Sequence, residues 1–449
     1  MSVSEAGTRV AEAVRRGVTR ASAATAPASA QRSGGAPIGV LDIGTSKVCC
    51  YVVRARPGGG QGAQLLGRGY QLAEGMRAGE VVDAEAAETS ILAVVHEAEQ
   101  QAGLTLRGLV LAVGGCQPRS SWHRLSLQLG GRAVGDGDVG RLLARGRAEA
   151  AASGRAVLHM VPLEVGLDGG GPLRDARGLV GQRLDVLAHA VSVAGGPLGN
   201  ILACLERCHL SAKGVVAASY AAGLACLAED ERERGCLLID MGGGSTNLAH
   251  FAGGRLALVE QVPYGGEHVT RDLAWGLSTG RQHAERIKNL FGGVQWRSCD
   301  DNTRIEVPLF GDHPELPTGE VPRTRITQII RARIEEIFLL AQDKLREHVD
   351  FLERQPPRSI VLTGGASQLE GIDELAQEMF GIPTRRGRPE LVEGVDGFES
   401  EPCCATASGA AALSLGREGG DGIGWGDAGG SALPASPLIR VGRWLRQSF

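Results

Sequence analysis

The chain has 449 residues, 43% of them hydrophobic and 22% charged, and its 47 basic and 51 acidic side chains leave a formal net charge of -4. That length accommodates two to four domains with sizeable cores, and the near balance of charge excludes a whole-molecule attraction to nucleic acid or an anionic surface. No apolar run reaches the ~18 residues of a membrane span, and the 10 cysteines include no Cys-x-x-Cys pair, so they read as buried, reduced thiols of a cytoplasmic protein. Cys204 and Cys208 with His209 offer three metal ligands and lack a fourth.

Residues 1–35, rich in Ala, Ser, Thr and Arg, read as a disordered tail. Ile38 to Lys47, IGVLDIGTSK, then reads as a buried strand ending in Asp42, followed by Gly44, Thr45, Ser46 and Lys47. A further strand, a Gly-rich turn at 58–60 and a third strand follow, and apolar spacing at Ile91, Val94, Val95 and Ala98 predicts a helix over 84–102. It leads into a strand ending in Gly114 and Gly115. The hexapeptide GDGDVG at 135–140 fits a dinucleotide-binding spacing, but Asp136 and Asp138 would repel a pyrophosphate and suit a helix N-terminus instead. No Gly-Lys dipeptide occurs, which excludes a P-loop. A strand at 189–194 and helices at about 200–208 and 218–229 complete the first half.

Leu237 to Asn247, LLIDMGGGSTN, repeats the earlier grammar: an apolar strand, Asp240, then Gly242, Gly243, Gly244, Ser245 and Thr246. Glycines let the backbone approach an anion, and the N–H groups of such a turn attract phosphate oxygens. The two hydroxyls add donors, and Asp240 suits a hydrated Mg2+ better than a phosphate. Alone, GGGST also fits a Gly-rich hairpin; two such turns suggest related halves clasping one polyphosphate. Further on come Gly265, Gly266 and Thr270, a helix carrying Glu285 and Lys288 on one face, and a long helix from about 323 with Ile326, Ile329, Ile330, Ile334, Ile337 and Phe338 in register. Arg323, Arg325, Arg331 and Arg333 cluster at its start. Ile360 to Gly371, IVLTGGASQLEG, is a strand opening into Gly364 and Gly365, and a strand at 382–385 and a small-residue helix at 405–415 follow.

The Gly-rich stretch 414–436 reads as a flexible linker. In the closing PLIRVGRWLRQSF, a helical winding puts Leu438, Val441, Trp444, Leu445 and Phe449 on one side and Arg440, Arg443 and Arg446 on the other. That pattern reads as an interfacial membrane anchor for anionic lipid. A helix this short is marginal in water, so one copy should bind weakly and several copies held together should bind stably. Docking of the segment on its own domain is the alternative.

The ordered trio of Gly turns resembles the actin-like ATPase superfamily: an α/β, two-domain fold whose first two turns bind phosphate and whose third binds adenosine. The stretch 157–186, VLHMVPLEVGLDGGGPLRDARGLVGQRLDV, narrows the resemblance to the FtsA family of bacterial cell-division proteins. A departure is Ala176-Arg177-Gly178-Leu179 where the family usually has Pro-Arg-Gly-Met. The resemblance implies an inserted α+β subdomain over 85–188 within a first subdomain of 36–84 and 189–234. It implies a second half of 235–268 and 336–413, with a fourth subdomain at 269–335. It implies ATP and Mg2+ as cofactors, with Asp42, Gly44 to Lys47, Asp240 and Gly242 to Thr246 at the phosphates and metal. Gly265, Gly266, Glu285, Lys288, Gly364 and Gly365 would serve the adenosine, Glu285 at the ribose and Lys288 at the base. Implied partners are further copies of the chain in a polymer, later division proteins, and the C-terminal peptide of the tubulin-like protein FtsZ, met by Arg323 and Arg325. The implied place is the cytoplasmic face of the inner membrane at the septum. The chain 215–225, VVAASYAAGLA, lacks the Glu or Gln that positions water in efficient hydrolases of this superfamily, so at most slow ATPase activity is expected. Alternatives are a sugar-kinase-like phosphotransferase and an actin-like pilus-assembly adaptor.

Overall fold

A computed structural model describes residues 36–55, 63–296, 302–308, 318–390, 392–393 and 401–415. The expected tail at 1–35, the turn at 58–60, nearly all of the linker and the amphipathic segment 437–449 lie outside the described residues.

Two sheets share one plan. In the first half, β1 (Ile38–Ile43), β2 (Lys47–Ala55) and β3 (Ala63–Leu72) form an antiparallel meander, and β4 (Gly108–Val113) and β8 (Ser211–Ala217) extend it beyond β1 in parallel. In the second half, β9 (Cys236–Met241), β10 (Thr246–Ala252) and β11 (Arg255–Val262) form the meander, and β14 (Ser359–Thr363) and β15 (Thr384–Arg386) extend it beyond β9 in parallel. Strand orders β8-β4-β1-β2-β3 and β15-β14-β9-β10-β11 are therefore equivalent. A short β16 (Val392–Glu393) adds to the far edge of β3. Central strands covered on both faces read as continuous apolar runs, and every residue of β9 is buried.

Local chemistry sets the helices. In α1 (Ala84–Ala102), the Asp83 carboxylate accepts from the backbone N–H groups of Glu85 and Ala86, and Gly103 closes the helix at φ 66°. Its apolar stripe Ala87, Ile91, Val94, Val95 and Ala98 is buried on the first sheet. α3 (Gly195–Arg207) precedes β8, and α4 (Ala218–Cys226) and α10 (Ala405–Leu415) pack against each other at close range. A Cβ on Gly409 would lie 1.7 Å from the Ala221 carbonyl oxygen. The helix expected over 218–229 stops at Cys226, because Leu227 is already extended. The strand expected at 382–385 begins two residues later, at Thr384.

The inserted layer is a three-stranded antiparallel sheet, ordered β5 (Arg119–Gln128), β7 (Arg183–Ala194), β6 (Arg155–Leu167), covered by α2 (Asp136–Ala151). Its start differs from the expected residue 85. Both α1 and β4 belong to the first half, since β4 pairs with β1 and β8, and the separate layer begins only at β5. As the sequence suggested, Asp138 serves the start of α2. It accepts from the Gly135 N–H at 2.7 Å and from the Arg132 guanidinium at 2.6 and 2.9 Å.

The outer part of the second half comprises α5 (Gly266–Gly276), α6 (Arg281–Phe291), a hairpin of β12 (Arg304–Pro308) and β13 (Thr318–Pro322), and α7 (Arg323–Arg346). α7 buries Ile326, Ile330, Ile334, Ile337, Phe338 and Ala341, with Ile329 partly covered. It runs unbroken through the expected subdomain boundary at 335, so one rod joins the outer part to the sheet. α8 (Val349–Arg354) and α9 (Ile372–Phe380) complete this half.

Candidate functional site

Equivalent strands carry equivalent chemistry. Asp42 near the end of β1 is opposite Ala112 of β4, and Asp240 near the end of β9 is opposite Thr363 of β14. Each acid is followed by a one-turn reversal. The Gly44 N–H donates to the Lys47 carbonyl at 2.9 Å, and the Gly242 N–H donates to the Ser245 carbonyl at 3.0 Å. The two turns face each other directly: a Cβ on Gly243 would stand 2.8 Å from Ser46 Oγ, and one on Gly244 would stand 2.4 Å from Thr45 Oγ1. Glycine is required here because a side chain would fill the space between the halves.

Asp42 and Asp240 are 7% and 9% exposed. Burial, then the nearby Asp42 charge, push Asp240 up to about 7, with Lys47 opposing. Burial also raises Asp42 against the pull of Lys47, whose Nζ lies 3.8 Å from Asp42 Oδ2. Two carboxylates sharing one lysine in a low-dielectric cleft lack positive charge. Lys47 also donates to the Cys403 carbonyl. Burial disfavours its charge, but Asp42 and the thiols around it hold the ammonium well above its ordinary range.

The remaining expected residues divide into those at the cleft and those committed elsewhere. Gly265 and Gly266 sit on the second turn, since the Gly266 N–H donates to the Gly242 carbonyl at 2.9 Å and the Glu267 N–H to that of Gly243 at 2.8 Å. Lys288 Nζ reaches Glu285 Oε2 at 2.7 Å, Thr270 Oγ1 at 2.9 Å and the Gly266 carbonyl at 3.3 Å, so α6 is tied to the start of α5. Burial pushes Glu285 up, but Lys288 and the Thr270 hydroxyl outweigh it and leave the carboxyl below its usual range. Gly364, at φ 84°, passes so close that a Cβ would lie 2.5 Å from Asp240 Oδ1. A Cβ on Gly266 would stand 3.3 Å from that of Ala366, which brings the third motif to the second. The Thr246 hydroxyl is spent on the Tyr264 carbonyl at 2.9 Å, and that of Thr45 accepts from the Gly79 N–H at 2.9 Å. Arg323 donates to Glu370 at 2.8 Å and Arg325 to the Gly276 carbonyl at 2.8 Å, on the outer face of the second half.

Sequence reasoning assigned no role in the site to the residues that close the first half. Gly114 and Gly115 follow β4 as Gly364 and Gly365 follow β14, and the Gly114 carbonyl accepts from Gln261 Nε2 at 2.7 Å. Gln261 also donates to Asn247 Oδ1 at 3.1 Å, stitching the halves together beside the turns. The repeated strand-Gly-Gly pattern was the available signal for the glycines. Gln261 had none, because its role depends on β11 reaching the turn that follows β4.

The donor set fits a metal-bound polyphosphate: glycine turns that a Cβ would block, hydroxyls, an ammonium, and buried acids short of positive charge. Among the described residues no cluster of three or more His, Cys, Asp or Glu could hold a metal directly.

Comparison with known proteins adds the family. The family model "Cell division protein FtsA" matches residues 237–409, and "SHS2 domain inserted in FTSA" matches 115–192, the layer that starts near β5. Cell division protein FtsA of Agrobacterium fabrum is 36% identical over 92% of this chain and 95% of its own length. The Escherichia coli K12 protein is 30% identical over 91% and 97%. Among solved structures, a PilM-PilN type IV pilus biogenesis complex matches at TM-score 0.58 and 19% identity, covering 84% of this chain and 98% of that one. MreB5 of Spiroplasma citri bound to ADP matches at TM-score 0.50 and 14% identity, covering 83% and 94%. These likenesses carry the actin-like fold, and the identities over nearly the whole length carry more: the chain belongs to the FtsA family of cell-division proteins.

Proposed function

We propose that this chain binds ATP with Mg2+ between its two Gly turns, polymerises, and tethers FtsZ filaments to the inner face of the cytoplasmic membrane at the division septum. The observation that supports this reading most is the pair of buried acids, Asp42 and Asp240, set at equivalent strand ends with too little positive charge between them. Mg2+, when bound, would supply that charge, with Asp42 and Asp240 as the acids that would hold it. Lys47 and the N–H groups of both turns hold the phosphates, Glu285 and Lys288 with Gly265, Gly266, Gly364 and Gly365 hold the nucleoside, and both halves are drawn onto one ligand. The angle between the halves then becomes a function of what is bound, and with it the fit of one copy to the next.

Hydrolysis is slow in this reading, since α4 opens on Ala218, Ser219 and Tyr220 with no acid or amide to orient water. The segment 437–449 lies in the membrane interface, each copy weakly, and the polymer multiplies the attachment. Among the described residues no helix is long and apolar enough to cross a membrane. The FtsZ peptide, acidic and apolar, meets the outer face of the second half, where Arg325 is exposed.

Co-sedimentation with liposomes containing anionic lipid tests this directly, comparing the full chain with one ending at Ser436, each with and without ATP and Mg2+. Pelleting of the full chain alone, strengthened by nucleotide, is the expected result. Equal pelleting of both, or of neither, would overturn the tether.

A further inference from the structure

Beside the first phosphate turn lies a thiol pair that the nucleotide reading leaves unused. Residues Pro402–Cys404 wind as one 3-10 turn leading into α10, and the two sulfurs stand 3.8 Å apart. Cys404 is buried and Cys403 is half-buried. The turn is anchored on both sides of the cleft. Its Pro402 carbonyl accepts from Thr363 Oγ1 at 3.1 Å and from the Gly364 N–H at 3.2 Å, and its Cys403 carbonyl accepts from Lys47.

We propose that Cys403 and Cys404 form an oxidisable dithiol whose closure by peroxide weakens nucleotide binding through Lys47, an inference that rests on the nucleotide reading above. Adjacent cysteines close a ring that includes the carbonyl carbon of the first. Bringing the sulfurs from 3.8 Å to the ~2 Å of a disulfide therefore turns the carbonyl that holds the Lys47 ammonium. The chemistry is favourable at this place. A hydrogen bond from Cys403, with help from Lys47 and against burial, lowers the Cys404 thiol below its ordinary range and favours its thiolate.

The thiolate attacks one oxygen of hydrogen peroxide, the O–O bond breaks, and the leaving hydroxide takes a proton from solvent, so that a sulfenic acid and one water form. The remaining thiol displaces the sulfenic hydroxyl as a second water, and the S–S bond forms. Two thiols are oxidised to one disulfide and one peroxide is reduced to two waters; a dithiol reductant reverses the change.

The test uses the full chain reduced, treated with hydrogen peroxide, and re-reduced with dithiothreitol, with Cys404→Ser alongside. Non-reducing peptide mass mapping locates the disulfide, and binding of a fluorescent ATP analogue with Mg2+ reads the affinity. Expected are loss of two hydrogens in the Cys403–Cys404 peptide and roughly tenfold weaker binding, the scale of one charge-assisted hydrogen bond. Dithiothreitol should restore the affinity, and Cys404→Ser should be indifferent to peroxide. Should that variant fail to fold, the wild-type oxidation and re-reduction cycle decides alone. Sulfinic or sulfonic acid without a disulfide, pairing to another cysteine, or a closed dithiol with unchanged affinity would each overturn the proposal. Failure of the reduced protein to bind nucleotide would remove the nucleotide reading and the coupling built on it, while the mapped mass would still show whether the dithiol closes.

Discussion

Asp240 carries two opposed demands: its burial destabilises the folded chain, and its charge is what the proposed metal-nucleotide complex would need. The sign of the pH effect follows from its rise from 3.8 to about 7. Between those values the folded chain keeps a proton that the unfolded chain releases, so stability falls as pH rises through the window and the penalty is complete above about 7. Asp240→Asn should therefore melt several degrees above wild type at pH ~8, with the gap closing as pH falls toward the unfolded value, and should lose Mg2+-dependent ATP binding. A melting temperature that tracks wild type at every pH would refute the assignment. Gly364→Ala tests the third motif. Its positive φ and the 2.5 Å approach to Asp240 Oδ1 leave no room for a Cβ, so both stability and nucleotide affinity should drop, read by thermal unfolding and equilibrium binding. These residues were legible in the sequence because an acid followed by glycines is local chemistry. Gln261 and Asn247 were not, since their amides gain meaning only when two distant strands meet.

Among the elements, α7 shows how far periodicity reaches. Its isoleucines predict the buried face, whereas the partners of its arginines follow from packing. Arg333 pairs with Asp272 and sits 5.7 Å from the Tyr264 ring centre, and Arg331 pairs with Glu335 over Trp296. These two therefore secure the outer part of the second half. Arg325→Glu should weaken binding of the FtsZ peptide at least several-fold in a fluorescence-anisotropy titration, with little change in melting temperature. Arg323→Ala should also lower stability by about 1 kcal/mol, because the Arg323–Glu370 ion pair is lost. A normal titration with both variants would move the peptide site off this helix. The boundary of the inserted layer illustrates the opposite limit. Alternating strands and helices between 85 and 188 look continuous along the chain, and only parallel pairing of β4 with β1 assigns the first of them to the neighbouring sheet.

At the scale of the whole molecule, the inserted layer touches both halves. Ser120 Oγ on β5 accepts from the Val259 N–H at 2.7 Å and lies 3.0 Å from the Val259 carbonyl and 2.8 Å from His189 Nε2. Arg255 of β11 reaches the carbonyls of Pro162 and Leu163, at 2.5 and 3.2 Å. Trp122 stacks on His189 and on Phe351 of α8 across the same seam. Ser120→Ala strips two backbone groups of their partner and should cost about 1–3 kcal/mol in urea unfolding. In the proposed reading its ATP affinity should change as well, because this seam and a bound nucleotide would both join the two halves. An unchanged affinity in a destabilised variant would show the seam to be purely structural.

The seam has a further meaning for solubility. β11 is the outermost strand of the second sheet, where a ladder would otherwise continue by recruiting a strand from another molecule. Here the chain supplies its own cover, with all three strands of the inserted layer against that edge and a hydroxyl standing at both ladder groups of Val259. Cross-β growth is thereby blocked on this side, so that in the proposed polymer copies would not join through this edge.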